Sequence, residues 1–404
     1  MKARYVDPFT PDLPVDNWER FSGRRAEIDS VVDSLYQLAN GNPRHTIITG
    51  DRGIGKSSLL MQVKRIAEGD FGLLTKLSIN PGMEKYDFVC AWHDCAKDQD
   101  PANLASGILS QLKTSLEGML SKVKLEFNVG GFLKISKRDD SVSSVGEIVD
   151  LFCSEISKAA KNASVKSKTG IVLFFDELDR ANPQSGIATF FKLSAEKLAR
   201  DGIKNITFFA GGITGAIQNL EEDHGSIYRT FKDVPLPRLE NSEVTEILRN
   251  GFESVGYSFE KCVIDETFNL SAGFPEPVHL IGSQILKTDT DRHLDQEDLD
   301  NTKVALIETL RRNKLSATLK AAGSGKYQLI LKAMAEYPSA NVPLSYITEE
   351  IGYDQNQYST NMSNLIKRNV VTQADRGVYG FVDPLLKEYI NRFGVINTDT
   401  KDSP

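Results

Sequence analysis

Apolar residues follow two different spacings along this chain. The run at 171–175 is apolar without a break, which is typical of a strand buried on both faces. The runs at 46–49 and 205–210 are rich in β-branched and aromatic residues and also predict buried strands. Segments such as 103–120 and 145–161 instead place apolar residues three or four positions apart, which predicts amphipathic helices. Because strands alternate with helices, the pattern predicts an α/β fold with a parallel sheet covered by helices on both faces.

Further strands complete the predicted sheet. Two of them are expected at Leu73–Ile79 and Phe88–Ala91, and Asp233–Leu239 is expected to be the last strand. The prolines of that last segment cannot donate to a ladder, so we place it at a sheet edge. Lys124–Phe127 and Phe132–Ile135 flank an Asn-Val-Gly-Gly turn and predict a β-hairpin.

The last part of the chain, 326–392, has a pattern of its own. Helices are predicted at Tyr327–Tyr337, Pro343–Ile351 and Gln355–Arg368, and two short strands after them can pair across Asp375–Gly377 as a hairpin. The order helix, helix, turn, helix, hairpin is that of a winged helix. Such a module binds DNA or protein.

One motif joins the first predicted strand to the helix after it. Residues 50–57 read Gly-Asp-Arg-Gly-Ile-Gly-Lys-Ser, the G-x-x-x-x-G-K-S pattern of a phosphate-binding loop. Glycines let backbone N–H groups converge on an anion, and the following helix presents its positive end to it. Lys56 is placed to reach the β- and γ-phosphates, and Ser57 to hold Mg²⁺. The predicted nucleotide-binding residues are Gly50, Asp51, Arg52, Gly53, Ile54, Gly55, Lys56, Ser57 and Ser58.

Two carboxylates follow the most apolar run of the chain. Asp176 and Glu177 come directly after Ile171–Phe175, and the carboxyl end of such a strand borders the ligand site of α/β sheets. A carboxylate there can hold Mg²⁺ through its water shell, which suits Asp176. The next one can polarise an attacking water, which suits Glu177. After the 205–210 strand, Thr214 either contacts the γ-phosphate or attacking water, or caps the next helix.

Composition narrows the class of protein. The 404 residues are 25% charged and 40% hydrophobic with a formal net charge of −7, unlike a generally basic nucleic-acid coat. No apolar run approaches the roughly 20 residues of a membrane helix, and the N-terminus lacks a signal-peptide core. The four cysteines form no pair of C-x-x-C units. We therefore expect reduced thiols in a cytoplasmic protein without a membrane partner.

Residues 20–285 resemble an AAA+ ATPase module of the initiator (origin-recognition) clade and its prokaryotic relatives. The resemblance rests on Phe-Ser-Gly-Arg-Arg-Ala-Glu-Ile at 21–28, the Walker A loop at 50–57 and the Walker B motif at 171–180. It implies ATP and Mg²⁺ as cofactors and a homo-oligomer as the assembly. The implied roles are magnesium ligand for Asp176, catalytic carboxylate for Glu177, sensor 1 for Thr214 and, offered by a neighbouring subunit, arginine finger for Arg229.

The chain departs from this family in the predicted helical lid at 242–285. Where relatives often read G-x-P-R and supply a sensor-2 arginine, this chain has Glu276 and Pro277. A carboxylate cannot stabilise a phosphate, so we expect the lid to close without that contact. Slow hydrolysis, or a switch that mostly holds ATP, follows from this expectation.

The predicted winged helix also resembles the last domain of initiator-type ATPases. Amides on its third helix can read base edges, and basic residues beside them can contact phosphates. However, 326–392 contain seven Lys/Arg and seven Asp/Glu, so the domain is neutral and a purely protein-binding role stays open. The candidate nucleic-acid contacts are Gln357, Tyr358, Asn361, Lys367, Arg368 and Arg376.

These features predict an ATP-hydrolysing switch that assembles with nucleotide and engages DNA or a protein. Two alternatives stay open: a signalling or defence ATPase that activates a separately encoded effector, and a nucleotide-binding scaffold that hardly hydrolyses. The predicted domains are an extended arm at 1–20, an α/β nucleotide-binding domain at 21–240, a helical lid and connector at 241–320, a winged helix at 326–392 and a flexible tail at 393–404.

Overall fold

The computed structural model describes residues 5–97, 99–119, 128, 145–162, 167–180, 185–212, 229–310 and 312–396. The chain forms two compact units. Pro14–Pro237 is called the sheet unit below, and Met1–Leu13 together with Arg238–Pro404 is called the helical unit. Among the helices of the described ranges, none is both long and apolar enough to cross a bilayer.

The sheet unit is built on a parallel five-stranded sheet with the order β2-β3-β4-β1-β5. The prediction of a P-loop type α/β fold is confirmed, and so is the edge position of the last strand. Buried residues occupy every position of β1, β3 and β4, as expected for strands covered on both faces. The strands are β1 His45–Thr49, β2 Phe88–Asp94, β3 Gly170–Asp176, β4 Ile206–Gly212 and β5 Phe231–Pro235.

Helices cover both faces of this sheet. On one face a buried cluster joins Phe175 of β3 to Phe191 and Phe208, with ring centroids 4.9 and 6.1 Å from that of Phe175. Successive strand residues point to opposite faces, so Phe174 lies on the other side, where its ring stacks between those of Trp92 and Phe209. The helices are α1 Arg25–Ala39, α2 Lys56–Ala67, α3 Gly72–Leu77, α4 Pro101–Met119, α5 Val145–Lys161 and α6 Ile187–Arg200.

The strand predicted at Leu73–Ile79 is wrong, because α3 occupies most of that segment. The Asp70 side chain accepts a hydrogen bond from the Gly72 N–H at 3.0 Å, which satisfies a free donor at the start of the helix. The adjacent residues Leu73 and Leu74 are both buried, which an alternating strand does not allow. The apolar run was too short to distinguish a buried helical turn from a strand.

Two predictions fall outside the described residues. They are the hairpin formed by Lys124–Phe127 and Phe132–Ile135, and the sensor-1 position Thr214. Gly211 and Gly212, which precede Thr214, lie within the end of β4.

The helical unit begins with four helices around one core. Phe9, from the N-terminal segment, is 3% exposed and inserts between two helices at Gly251 and Gly282. An added Cβ at either glycine would lie 2.4 or 2.7 Å from the Phe9 ring, so both positions need glycine to admit it. These helices are α7 Asn241–Ser254, α8 Lys261–Ser271, α9 Pro275–Thr288 and α10 Gln296–Ala305, with short strands β6 Ser258–Phe259 and β7 His293–Leu294.

The rest of the helical unit has the predicted order of helices followed by a hairpin. A π-helical turn at Leu306–Leu310 leads into α11 Arg312–Ala321. Three short strands then form an antiparallel sheet in the order β8-β10-β9 beside the helices. These elements are α12 Lys326–Glu336, β8 Val342–Pro343, α13 Leu344–Ile351, α14 Gln355–Lys367, β9 Val371–Asp375, β10 Val378–Phe381 and α15 Leu385–Phe393.

Candidate nucleotide site

The predicted phosphate-binding loop connects β1 to α2 at the carboxyl edge of the sheet. Gly53 and Gly55 have φ angles of 80° and 99°, a region that side chains other than glycine rarely adopt. Gly50 is packed so closely that a Cβ there would lie 2.9 Å from Cγ2 of Ile54. Backbone N–H groups in a loop of this curvature form a concavity suited to an anion.

Lys56, the first residue of α2, folds back over this loop. Its Nζ donates hydrogen bonds to the carbonyl oxygens of Gly50 and Asp51 at 2.8 and 2.9 Å. Burial lowers the pKa of Lys56, while the carboxylates of Asp179 and Asp176 act in the opposite direction. A bound phosphate would also favour the charged ammonium. The lysine is therefore held against the loop that is predicted to bind phosphate.

Asp176 ends β3 with only 4% of its surface exposed. Its carboxylate accepts a hydrogen bond from the Glu177 N–H at 2.8 Å. Burial raises the pKa of Asp176, and the Ser57 side chain and the Glu177 N–H oppose the rise. Gly211 makes room for the carboxylate, since a Cβ there would lie 2.8 Å from Asp176 Oδ1. The structure thus brings together Ser57 and Asp176, the predicted metal ligands.

Glu177 lies in an unusual backbone conformation at the same edge. Its φ is 54°, which is uncommon for a residue other than glycine and is often found at functional sites. Its Oε2 pairs with Nη1 of Arg180 at 2.9 Å. Burial raises the pKa of the Glu177 carboxyl, whereas the Arg180 charge lowers it. The predicted catalytic carboxylate is therefore partly exposed and held by an arginine that the sequence analysis did not single out.

Two further contacts at this edge were not predicted. Asp94 ends β2 in register with Asp176, and its charge raises the pKa of the Asp176 carboxyl. The Val15 N–H donates to Oγ of Ser58 at 3.0 Å, and Gln62 Nε2 donates to the Val15 carbonyl at 2.9 Å. The hydroxyl of Ser58, which is predicted to contact the nucleotide, therefore accepts a hydrogen bond from Val15 in the segment before α1.

A family model described as an AAA ATPase domain matches residues 20–197, a span that contains the loop, Asp176 and Glu177. Residues 20–197 of the sheet unit therefore form an AAA ATPase domain, and the prediction of an AAA+ ATPase is confirmed for this span. A second model, described as a domain of unknown function (DUF8462), matches residues 320–390. No curated protein matches the chain.

Solved structures resemble the chain over most of its length. A Walker-type ATPase of Pyrococcus abyssi, PABY2304, has 18% identity and a TM-score of 0.56, covering 94% of this chain and 99% of the other. Cdc6p of Pyrobaculum aerophilum has 12% identity, a TM-score of 0.46 and coverages of 95% and 97%. The Orc1 protein of Aeropyrum pernix, in complex with DNA, has 14% identity and a TM-score of 0.47, covering 92% of this chain and 94% of the other. At 18% identity, the first of these supports the fold alone.

The AAA+ module carries its predicted arginine finger at a distance from its own loop. Arg229 is exposed and lies two residues before β5. Since β5 pairs in parallel with β1 from His45↔Phe231 to Thr49↔Pro235, Arg229 precedes one edge of the sheet and Gly50 follows the other. The two positions are therefore separated by the length of a strand.

The predicted sensor-2 position holds an acid, Glu276, at the start of a helix. Glu276 lies in the first turn of α9, which begins with Pro275 at a position suited to proline. A carboxylate is favoured there by the positive end of the helix.

Tyr358 is buried, so the prediction that it contacts nucleic acid is wrong. The side chain is 1% exposed, and its hydroxyl lies 2.5 Å from that of Thr348 in α13. The residue belongs to the apolar stripe of α14 together with Met362 and Leu365. An aromatic ring with a polar tip suits a buried position that offers one hydrogen-bond partner.

The other candidate contacts on and after α14 differ in how free their side chains are. Arg368 donates to the Ala322 carbonyl at 2.6 Å and stacks over the Tyr327 ring, so it supports the fold. Gln357 accepts a hydrogen bond from the Asp354 N–H as part of a capping box. Asn361 is half-buried. Lys367 and Arg376 are exposed.

Proposed function

We propose that this AAA+ ATPase is an initiator-type switch. Mg²⁺ and ATP bind at the β1–α2 loop, and nucleotide-bound chains assemble so that Arg229 of one subunit completes the site of the next. The observation that carries this proposal is the position of Arg229 relative to its own phosphate-binding loop.

The strand register supports action between subunits. The first and last of the five paired residues of β5 are four steps apart, which at about 3.3 Å per residue is roughly 13 Å. An arginine before β5 is therefore far from a γ-phosphate held after β1 of the same chain. A head-to-tail interface in a closed ring would place the same surface beside the loop of a neighbouring copy. There the guanidinium would stabilise charge on the γ-phosphate.

The residues present fit a magnesium ion. Asp176 is a buried carboxylate whose pKa is raised by burial, so its charge is incompletely compensated by the protein alone. The Ser57 side chain lowers the pKa of this carboxyl, so a hydroxyl and a carboxylate act on one another at the same place. Ser57 and Asp176 would hold Mg²⁺, and the bound ion would supply positive charge that offsets the charge of the phosphates. Glu177 would orient the attacking water, and the absence of an arginine at position 276 favours slow turnover.

Mixing two inactive variants tests assembly directly. Glu177→Gln keeps the arginine but removes the catalytic carboxylate, and Arg229→Ala does the reverse. We expect each alone to hydrolyse ATP on the order of 10³-fold more slowly than wild type. An equimolar mixture should recover about a quarter of the wild-type rate, because half of the subunits keep Glu177 and half of their neighbours keep Arg229. Phosphate release measures both quantities.

Lys204→Ala is the matched control for Arg229→Ala. Lys204 is exposed and lies two residues before β4, as Arg229 does before β5. Its loss should leave turnover within about twofold of wild type, as is usual for an exposed surface residue. If the mixture stays as inactive as its components, Arg229 does not act between subunits.

For the C-terminal helices we propose a winged helix that engages DNA through α14. Its exposed surface carries Gln355, Asn356, Thr360 and Lys367, and Arg376 lies at the tip of the β9–β10 hairpin. Amides and hydroxyls of this kind can read base edges, and the two cations can contact phosphates.

A protein partner is the second candidate, and one observation favours it. Glu349 and Glu350 at the end of α13, and Asp354 at the start of α14, are all exposed. Acidic groups beside the N-terminus of a recognition helix repel the phosphate backbone. A basic protein surface would instead suit this corner.

Salt-dependent retention of duplex DNA distinguishes the two candidates. With ATP present, we expect binding that weakens linearly with the logarithm of salt concentration, and Lys367→Ala should reduce the slope by about 1. Lys332→Ala, an exposed change on α12, should leave the slope unchanged. If the full chain with ATP retains no DNA even at low salt, the protein-binding alternative is favoured.

A further inference from the structure

Arg24 is a buried cation that contacts the phosphate-binding loop at a backbone carbonyl. It lies directly before α1, has a φ of 62° and is 4% exposed. Its Nη2 donates to the carbonyl oxygen of Ile54 at 3.1 Å, and its Nη1 donates to the carbonyl oxygen of Pro237. One guanidinium therefore joins the loop to the segment that follows β5.

The same two segments also touch through their backbones. The Leu236 N–H donates to the Thr49 carbonyl at 2.7 Å, directly before the loop. A Cβ at Gly50 would lie 3.3 Å from the Leu236 carbonyl oxygen, so the start of the loop is packed on this segment. Arg24 adds a second attachment near the other end of the loop, at Ile54.

The orientation of one peptide bond connects this contact to nucleotide binding. In a trans peptide the carbonyl and the following N–H point in opposite directions. When Arg24 holds the Ile54 carbonyl on the protein side, the Gly55 N–H faces away from Arg24. Gly55 precedes Lys56, and its N–H belongs to the set that cradles phosphates in such loops. Because Gly55 has no Cβ and adopts a φ of 99°, the plane of the Ile54–Gly55 peptide can turn about its two flanking single bonds unless it is held.

We propose that Arg24 is a positioning residue that fixes the Ile54–Gly55 peptide, so that the Gly55 N–H is aimed at the phosphates before nucleotide arrives. The proposal rests on nucleotide binding at this loop and is independent of subunit assembly. Arginine suits the task because its planar fork presents several donors at fixed angles and reaches both carbonyls at once. A lysine can satisfy one of them, and a methionine neither.

ADP binding to the purified full-length chain tests this role, because hydrolysis and an arginine finger do not enter it. For Arg24→Met we expect the ADP dissociation constant to rise about 10- to 100-fold, the effect of losing one charge-assisted hydrogen bond to the ligand. Arg24→Lys should lie between Arg24→Met and wild type. At saturating ATP, kcat should stay within about threefold, because Asp176 and Glu177 are unchanged.

Arg25→Met is the matched control. Arg25 is the next residue, exposed, and its guanidinium donates to the Ser78 carbonyl at 3.2 Å. We expect its ADP affinity to equal that of wild type. Arg24 variants with wild-type ADP affinity would overturn the proposal, and so would a fall in kcat without a change in affinity.

A measurement on the wild-type chain covers the case in which the Arg24 variants do not fold. The NMR order parameter of the Gly55 N–H should already be that of rigid backbone, about 0.85, in the protein without nucleotide if the peptide is held. An order parameter below about 0.6 at Gly55 in the free protein would contradict the proposed positioning.

Discussion

Replacing Lys56 with alanine is expected to raise the dissociation constant for Mg-ATP by about 100- to 1,000-fold. The ammonium lies inside the loop and donates hydrogen bonds to two of its carbonyls. In the phosphate-binding motif the lysine at this position reaches the β- and γ-phosphates. Charge-assisted hydrogen bonds to a ligand contribute about 1.5–3 kcal/mol each, so two contacts to phosphate oxygens near the lower end of these values give about 3–4 kcal/mol and the stated change. Equilibrium titration with a fluorescent ATP analogue measures the change.

Lys64→Ala is the matched control on the same helix. Lys64 is two turns further along α2, partly exposed, and paired with Glu68 at 2.7 Å. Removing Lys64 costs an exposed ion pair worth at most about 1 kcal/mol of stability and should leave ATP affinity unchanged.

The Lys56→Ala chain is expected to fold. Burial lowers the pKa of Lys56, so the substitution removes a charge whose burial is unfavourable. Wild-type ATP affinity in that variant would exclude the loop as the triphosphate site.

Replacing Glu177 with glutamine is expected to lower kcat by about 10²- to 10⁴-fold while ATP still binds. Glutamine keeps the size of the side chain and one oxygen, but it cannot accept the proton of an attacking water. Asp176, Ser57 and Lys56 are unchanged, so the nucleotide and its metal should be retained. Phosphate release under single-turnover conditions, together with ATP binding at equilibrium, separates the two effects.

Glu196→Gln serves as the control for this substitution. Glu196 lies on α6 and pairs with Lys192 at 3.6 Å, so it loses an ion pair of the same kind as Glu177 does with Arg180. Turnover should stay within about twofold of wild type, because α6 residue 196 has no role in the site. Equal losses in the two variants would mean that the effect of Glu177→Gln comes from a broken ion pair rather than from catalysis.

The central part of the fold could be predicted because local and long-range requirements agree there. The residues of β3 are apolar without alternation and are buried throughout, and the loop after β1 needs glycine at positions with positive φ. Asp176 could be placed because parallel strands bring their carboxyl ends to one edge. Each of these signals is contained in a few consecutive residues.

The remaining features depend on residues far apart in the chain. Gly211 is needed because Asp176 lies against it from the neighbouring strand, and Arg24 reaches Ile54 and Pro237 across the fold. Tyr358 could not be identified as buried from the polar composition of its helix, since its burial depends on packing against α13. The segment that forms α3 is short, and its apolar residues fit a helical turn as well as a strand. The sequence therefore could not show which of the two it forms.

The central claim is that ATP binds at the tip of β1 and that Asp176 completes the pocket through a metal. The most direct test is the ATP dissociation constant measured with Mg²⁺ and with EDTA, for wild type and for Asp176→Asn. We predict that Mg²⁺ tightens ATP binding at least about tenfold in wild type, and that Asp176→Asn loses most of this gain, because a neutral amide is a poorer ligand than a carboxylate for a hard cation. The same dependence on Mg²⁺ in both proteins would contradict the account.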